Sequence, residues 1–207
     1  VYDVALGLDD YVAENGTGTN VSGTSDLAPL EEQAAMIAEL VPSARKVGLL
    51  YCSSEANSKY QVEEVSRALE QMDKGYECTL YSFSDSNDIQ SVVQKMVSDS
   101  EVVYLPTDNT VASNTQLIYN ICTPAKVPVI AGEEGICKGC GIATLSISYY
   151  NLGLITAQIA ADILLEGEDV SSIPIAYDEA PVRKYNPEIC AELGIEVPEG
   201  YEAIETE

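Results

Sequence analysis

Short apolar runs alternate with helix-periodic segments from about residue 29 to residue 165, and that alternation decides the fold class. Val47-Gly-Leu-Leu-Tyr51 is apolar throughout, as a strand buried on both faces must be. The next segment carries Val65, Ala68, Leu69 and Met72 at helical spacing, and Gly75 stops it. The pairing recurs with Thr79 to Phe83 followed by Ile89, Val92, Val93 and Met96. It recurs again with Val102 to Leu105 followed by one helix bearing Val111, Ile118, Ile121 and Cys122. Val127 to Ala131 and Gly141 to Ile147 supply two more strands. Leu152, Ile155, Ile159 and Ile163 then stripe a longer helix that Gly167 closes. Ahead of all these, Pro29, Glu31 and Glu32 open a helix with Leu30, Ala34, Ile37 and Val41 on its apolar face, and Pro42 ends it. Strands and helices joined by links of a few residues predict an α/β fold, a parallel sheet in three layers.

Two stretches break the pattern. Residues 14–25 are rich in Gly, Asn, Thr and Ser and read as a loop or hinge, where the sequons Asn15-Gly-Thr and Asn20-Val-Ser are chance matches. The tail from Ile173 gives one strand and then Pro181, Pro187 and Pro198, a surface wrap.

Composition narrows the function by exclusion. Thirty-four Asp and Glu against ten Lys and Arg leave a net charge of −24, which repels nucleic acid and anionic lipid alike. No apolar run reaches the ~18 residues of a membrane span, so the chain is expected to be soluble, with any export signal outside it. Histidine is absent, which removes Ser-His-Asp and Cys-His catalysis in their usual forms. No glycine-rich phosphate loop and no nucleophile elbow follows any strand, so neither an enzyme nor a cofactor is expected. Cys137-Lys-Gly-Cys140 has the spacing of a disulfide, a redox pair or half a metal site. The favoured reading is a surface loop without a catalytic role; no metal is expected. Cys78 and Cys122 read as small buried hydrophobes.

In open parallel sheets ligands bind beyond the carboxyl ends of the strands. The exit segments there are Cys52 to Asn57, Ser84 to Asp88, Pro106 to Asn109, Gly132 to Gly135 and Ser148 to Tyr150. Asp108, Glu133 and Glu134 could hold an ammonium group. Helix N-termini at Ser53 to Asn57 and at Asn109 to Thr110 could hold a carboxylate. Tyr51, Tyr149 or Tyr150 could cover an apolar side chain. The competing assignment makes Asp108 and Ser53 helix caps, the Glu133–Glu134 pair a solvated loop and Tyr51 a core residue.

Four segments occur in order: Asn20-Val-Ser-Gly-Thr-Ser-Asp26, Tyr51 to Ser58, Leu105-Pro-Thr-Asp-Asn-Thr-Val-Ala-Ser113 and Ala131-Gly-Glu-Glu-Gly135. Together, over residues 1–198, they resemble the ABC-transporter substrate-binding family linked to tryptophan and related amino acids, with the type I periplasmic-binding fold. The resemblance implies two α/β lobes closing on a ligand, the first lobe incomplete because family members carry a further stretch ahead of Val1. It divides the chain into a first-lobe remnant and hinge (1–24), a second α/β lobe (25–146), a crossing helix of the first lobe (147–170), and a return strand and tail on the second lobe (171–207). It implies an extracytoplasmic, lipoprotein-type component of an importer, with an amino acid-like ligand and a membrane permease as partners. A sensor domain of the same fold is the alternative. The implied ligand residues are Thr107, Asp108, Asn109, Glu133 and Glu134, then Asn57 and Ser25, with Tyr51, Ser53 and Tyr149 completing the set.

Overall fold

The fold is that of a computed structural model, which describes residues 16–205. Residues 1–15, with the start of the expected lobe remnant and the Asn15 sequon, lie outside the described residues. In chain order the elements are α1 (Leu30–Leu40), β1 (Lys46–Cys52), α2 (Ala56–Gln71), β2 (Glu77–Phe83), α3 (Ile89–Asp99), β3 (Val102–Leu105), α4 (Asn109–Ala112) and α5 (Thr115–Cys122). They continue with β4 (Val129–Ala131), α6 (Glu134–Cys140), β5 (Ala143–Ser146), α7 (Tyr149–Ala161), β6 (Val182–Tyr185), α8 (Pro187–Leu193) and β7 (Glu202–Ala203).

The described residues cluster into two compact units, one of residues 29–146 and 182–205, the other of residues 16–28 and 147–181. Residues 25–28 and 171–181, which the sequence reading gave to the second lobe, therefore group with the smaller unit. There Thr24 bridges Ala176 in parallel, and Ser25 N–H donates to the Ala176 carbonyl at 2.9 Å.

The larger unit holds a seven-stranded sheet in the order β2-β1-β3-β4-β5-β6-β7. The pairs from β2 through β5 are parallel, as the alternation predicts. β6 departs from that expectation by running antiparallel to β5, with Thr144 opposite Lys184 and Ser146 opposite Val182. Successive residues of a strand face opposite sides. Leu50, Cys52, Val103 and Leu105 accordingly join Ile89, Val93 and Met96 of α3, Ile118 of α5 and Ile136 of α6 in one apolar cluster. On the other face α1 packs on α2 and α2 on β1, with Ala34, Ile37, Val62, Val65 and Leu69 buried. Each of the larger side chains there, Ile37, Val62, Val65 and Leu69, contributes about 1.5–3 kcal/mol on burial. Helices on both faces complete three layers.

Some local expectations change. The helix expected across Val111 to Cys122 is two, α4 and α5, parted at Ser113 and Asn114. Cys137 and Cys140 lie on α6, not on a surface loop: with Ile136 they form its apolar face, and both thiols are free and buried. Cys78 is only half-buried because β2 is an edge strand, whereas Cys122 is buried as expected. Among the described residues no helix is long and apolar enough to cross a membrane, and no cluster of three or more His, Cys, Asp or Glu could hold a metal.

In the smaller unit Ser148 caps α7 by accepting from Asn151 N–H. α7 runs into a π-helical turn, Asp162–Glu166, closed by Gly167 at φ 76°, the left-handed stop that glycine suits.

Candidate functional site

At the carboxyl ends of β1, β3 and β4 the exit loops are tied to one another by side chains. Asn57 Nδ2 reaches from the first turn of α2 to donate to the Thr107 carbonyl at 2.8 Å. One turn on, Gln61 holds both backbone groups of Thr107: Thr107 N–H donates to Gln61 Oε1 at 3.0 Å, and Gln61 Nε2 donates to the Thr107 carbonyl at 3.3 Å. Thr107 Oγ1 donates to the Gly132 carbonyl at 3.3 Å, linking the β3 exit to the β4 exit. Gln33 of α1 supports that carbonyl from behind through Nε2 at 3.2 Å, while its Oε1 accepts from the buried Tyr104 hydroxyl. The two exits approach so closely that a Cβ on Gly132 would sit 2.6 Å from Thr107 N and 2.7 Å from Pro106 C. Glycine is required there by contact with backbone, not by its φ.

The carboxylates are distributed on this frame by helix capping. Asp108, only 2% exposed, caps α4 by accepting from Val111 N–H at 2.9 Å, and its other oxygen accepts from Cys52 N–H at 2.9 Å. Burial pushes its carboxyl above the ordinary value against these two bonds, and the nearby Glu55 charge adds to the rise. The capping role weighed for Asp108 from sequence is thus the one its oxygens fulfil, beneath the rim. Glu133 caps α6, accepting from Gly135 N–H at 2.7 Å and from Ile136 N–H. Glu134, half-buried, accepts from Ser146 Oγ at 2.7 Å and pairs with Lys184 Nζ at 2.7 Å. Burial raises its carboxyl, but those two contacts outweigh it and hold the group below its usual value.

Other expected residues take different places. Ser53 does not cap α2; its hydroxyl and its N–H both donate to the Phe83 carbonyl, fastening the β1 exit to the β2 edge. Tyr51 is half-buried at the end of β1. Asn109 is exposed, and its N–H and Nδ2 donate to Glu55. Ser25 and Tyr149 belong to the smaller unit, where Ser25 is buried and the Tyr149 hydroxyl donates to Asp26 at 3.2 Å.

The side chains that sequence reasoning passed over are Glu55, Gln61, Gln33 and Lys184. Glu55 stood in plain view in the β1 exit loop. Gln33 and Gln61 look like polar interruptions of apolar helix faces, which is the one signal they give. Lys184 arrives on β6, and nothing in the sequence announces that this strand lies beside β5.

The strand exits therefore carry Glu55, Glu133 and Glu134, with Asp108 beneath them and Lys184 paired to Glu134. Such a surface attracts an ammonium group and repels anions.

Residues 9–205 match the ABC transporter substrate binding protein family. A tyrosine-binding protein of Clostridioides difficile (strain R20291) is 33% identical over 158 residues, which is 76% of this chain and 45% of that protein. The chain thus spans under half the length of that relative. Among solved structures, the ligand-free, open form of a Clostridium difficile substrate-binding protein with adhesive properties is 33% identical, with a TM-score of 0.78 over 99% of this chain and 68% of that one. An L-Trp complex of an ABC domain from Streptococcus pneumonia is 30% identical, with a TM-score of 0.82 over 92% of this chain and 67% of that one. An arabinose-binding protein from Geobacillus stearothermophilus, at 13% identity and a TM-score of 0.60, shares the fold alone. With a family match that runs almost from end to end and a mostly parallel α/β sheet of the same type, this chain belongs to the ABC transporter substrate-binding protein family.

Proposed function

We propose that this chain is the ligand-binding portion of an extracytoplasmic solute-binding component of an ABC importer, and that its ligand is a small aromatic amino acid. The observation that carries the reading is the acidic strand-exit rim, built on a scaffold whose relatives include a tyrosine-binding protein and an L-Trp complex. Glu133 and Glu134 supply negative charge for the ligand ammonium, and Asn57, Thr107 and Asn109 define the frame around it. Ser53 lies on the same rim, with Tyr51 at its margin. Asp108 serves from beneath as the cap that holds the β3 exit in place. Ser25 and Tyr149 belong to the smaller unit and stay proposed ligand residues of that unit by itself. The partner is a membrane permease of the same transport system, with no role for nucleic acid, direct lipid contact, catalysis or a cofactor.

Calorimetric titration with each of the twenty amino acids, followed by chromatography of the recovered ligand, tests this. The expected outcome is saturable binding of tyrosine or tryptophan with the amino acid recovered unchanged. Absence of binding by every amino acid, or chemical conversion of one, overturns it.

A further inference from the structure

Glu55 occupies the N-cap position of α2 but makes no cap bond there. Its side chain crosses instead to the β3 exit loop and collects four donors. Oε2 accepts from Asn109 N–H at 3.0 Å and from Asn109 Nδ2 at 3.2 Å; Oε1 accepts from Thr110 N–H at 3.0 Å and from Thr110 Oγ1 at 2.8 Å. A half-buried carboxylate with four donors and no cation among those partners is a clasp between two loops, not an ion pair. It also uses both side-chain donors that Asn109 and Thr110 would otherwise turn outward.

We propose that Glu55 is a positioning residue for ligand binding: its ionised carboxylate sets the place of Asn109 and Thr110 on the rim. The link to affinity rests on the reading that this rim takes an amino acid; the clasp itself does not. The groups facing Glu55 are the Asp108 carboxyl beside it on the β3 exit and the Asn109 and Thr110 donors. Burial raises the Glu55 carboxyl, yet the bonds from Asn109 and Thr110 prevail and hold it below its ordinary value. Because this pKa is depressed in the folded chain, the clasp is complete above the ordinary carboxylate range and opens as pH falls through the lowered value. The neighbouring Asp108 carboxyl is shifted the other way, upward by burial.

The test compares Glu55→Ala, Glu55→Gln and Glu55→Asp with the parent protein by amide hydrogen exchange without ligand and by titration with tyrosine and tryptophan. Glu55→Ala is expected to speed exchange at the Asn109 and Thr110 amides about tenfold or more, the scale of losing charge-assisted bonds. Glu55→Gln, which turns an NH2 group towards N–H donors, behaves as Glu55→Ala, and Glu55→Asp restores part of the protection. Protection in the parent, corrected for intrinsic exchange, falls below the ordinary carboxylate range, and the Gln variant lacks that fall. Affinity for the amino acid follows the same order. Unchanged exchange in the Ala and Gln variants overturns the clasp. Faster exchange with unchanged affinity overturns the positioning role. A parent protein that binds no amino acid but shows the exchange pattern removes the functional reading and the link to affinity while leaving the clasp standing.

Discussion

Replacing Asp108 with alanine removes two buried acceptors at once. Cys52 N–H and Val111 N–H then face the interior without partners, and each unpaired buried donor costs about 1–3 kcal/mol. The Val111 bond is also the cap of α4, so the loss of about 1 kcal/mol usual for a missing cap is the same loss seen from the helix and is not added again. Removing a carboxylate that burial disfavours returns part of the cost. The net expectation for Asp108→Ala is a destabilisation of about 2–4 kcal/mol. Asp108→Asn keeps one acceptor oxygen and should cost about 1–2 kcal/mol. Urea unfolding followed by far-ultraviolet circular dichroism reads both values, provided the denaturant slope stays constant. The pH dependence supplies a second check. Asp108 is raised in the folded chain, so its ionised form carries a penalty that is present above the folded pKa and lifts as pH falls through it. The parent therefore gains on mild acidification what the Asn variant cannot, and the gap between them widens towards acid. If Asp108→Ala unfolds within about 0.5 kcal/mol of the parent, the size of an ordinary surface substitution, then these two bonds do not hold the β1 and β3 exits together.

Gly132→Ala should destabilise by about 1–3 kcal/mol, because its Cβ meets Thr107 and Pro106 backbone atoms that cannot yield locally; thermal unfolding measures it, and a neutral result refutes the close approach. Tyr104→Phe leaves the buried Gln33 Oε1 without its donor and should cost about 1–3 kcal/mol by urea titration, with a smaller loss on adding Gln33→Leu to it. Burial pushes the Cys122 thiol up to about 12 and Cys190 up to about 11, and raises Cys137 and Cys140 as well, so iodoacetamide at pH 8 should spare these four in the folded protein and alkylate all of them in urea. Mass spectrometry of the peptides decides it, and rapid labelling of Cys137 or Cys140 in the folded state would contradict their burial on α6. Lys184→Met should loosen Glu134 but cost under about 1 kcal/mol, since both partners are partly exposed; the depressed Glu134 pKa means that the stabilisation it removes is present above the ordinary carboxylate range and fades below it.

The sheet was legible because its signal is local. Val47 to Tyr51 and Val102 to Leu105 read as buried strands from their own composition, and the helices after them read from their period. α6 escaped because Gly135 and Gly139 flank its short apolar face and suggest a loop, while the burial of Cys137 and Cys140 depends on neighbours distant in sequence. β6 escaped for the same reason: Val182 to Tyr185 carries Arg183 and Lys184, and only pairing with β5 makes it a strand. At the strand ends, the sequence selected loops that do lie side by side, since Asn57 and Gly132 both bond to Thr107. It could not say which polar atoms are already satisfied by backbone. Asp108 and Glu133 are acidic residues just ahead of helices, and a cap and a ligand contact look alike in one dimension.

The antiparallel β6 has a consequence for the order in which the molecule can assemble. β1 and β2, β3 and β4, and β4 and β5 pair across crossovers shorter than the stretch from 147 to 181, whereas β6 reaches β5 only after the chain has travelled through residues 147–181. Closing so long a loop is slow relative to the local crossovers. Until it closes, β5 presents bare N–H and C=O groups along Ala143 to Ser146, a template for any extended chain nearby. Late arrival of the C-terminal strands makes that border the one from which nascent copies would associate wrongly.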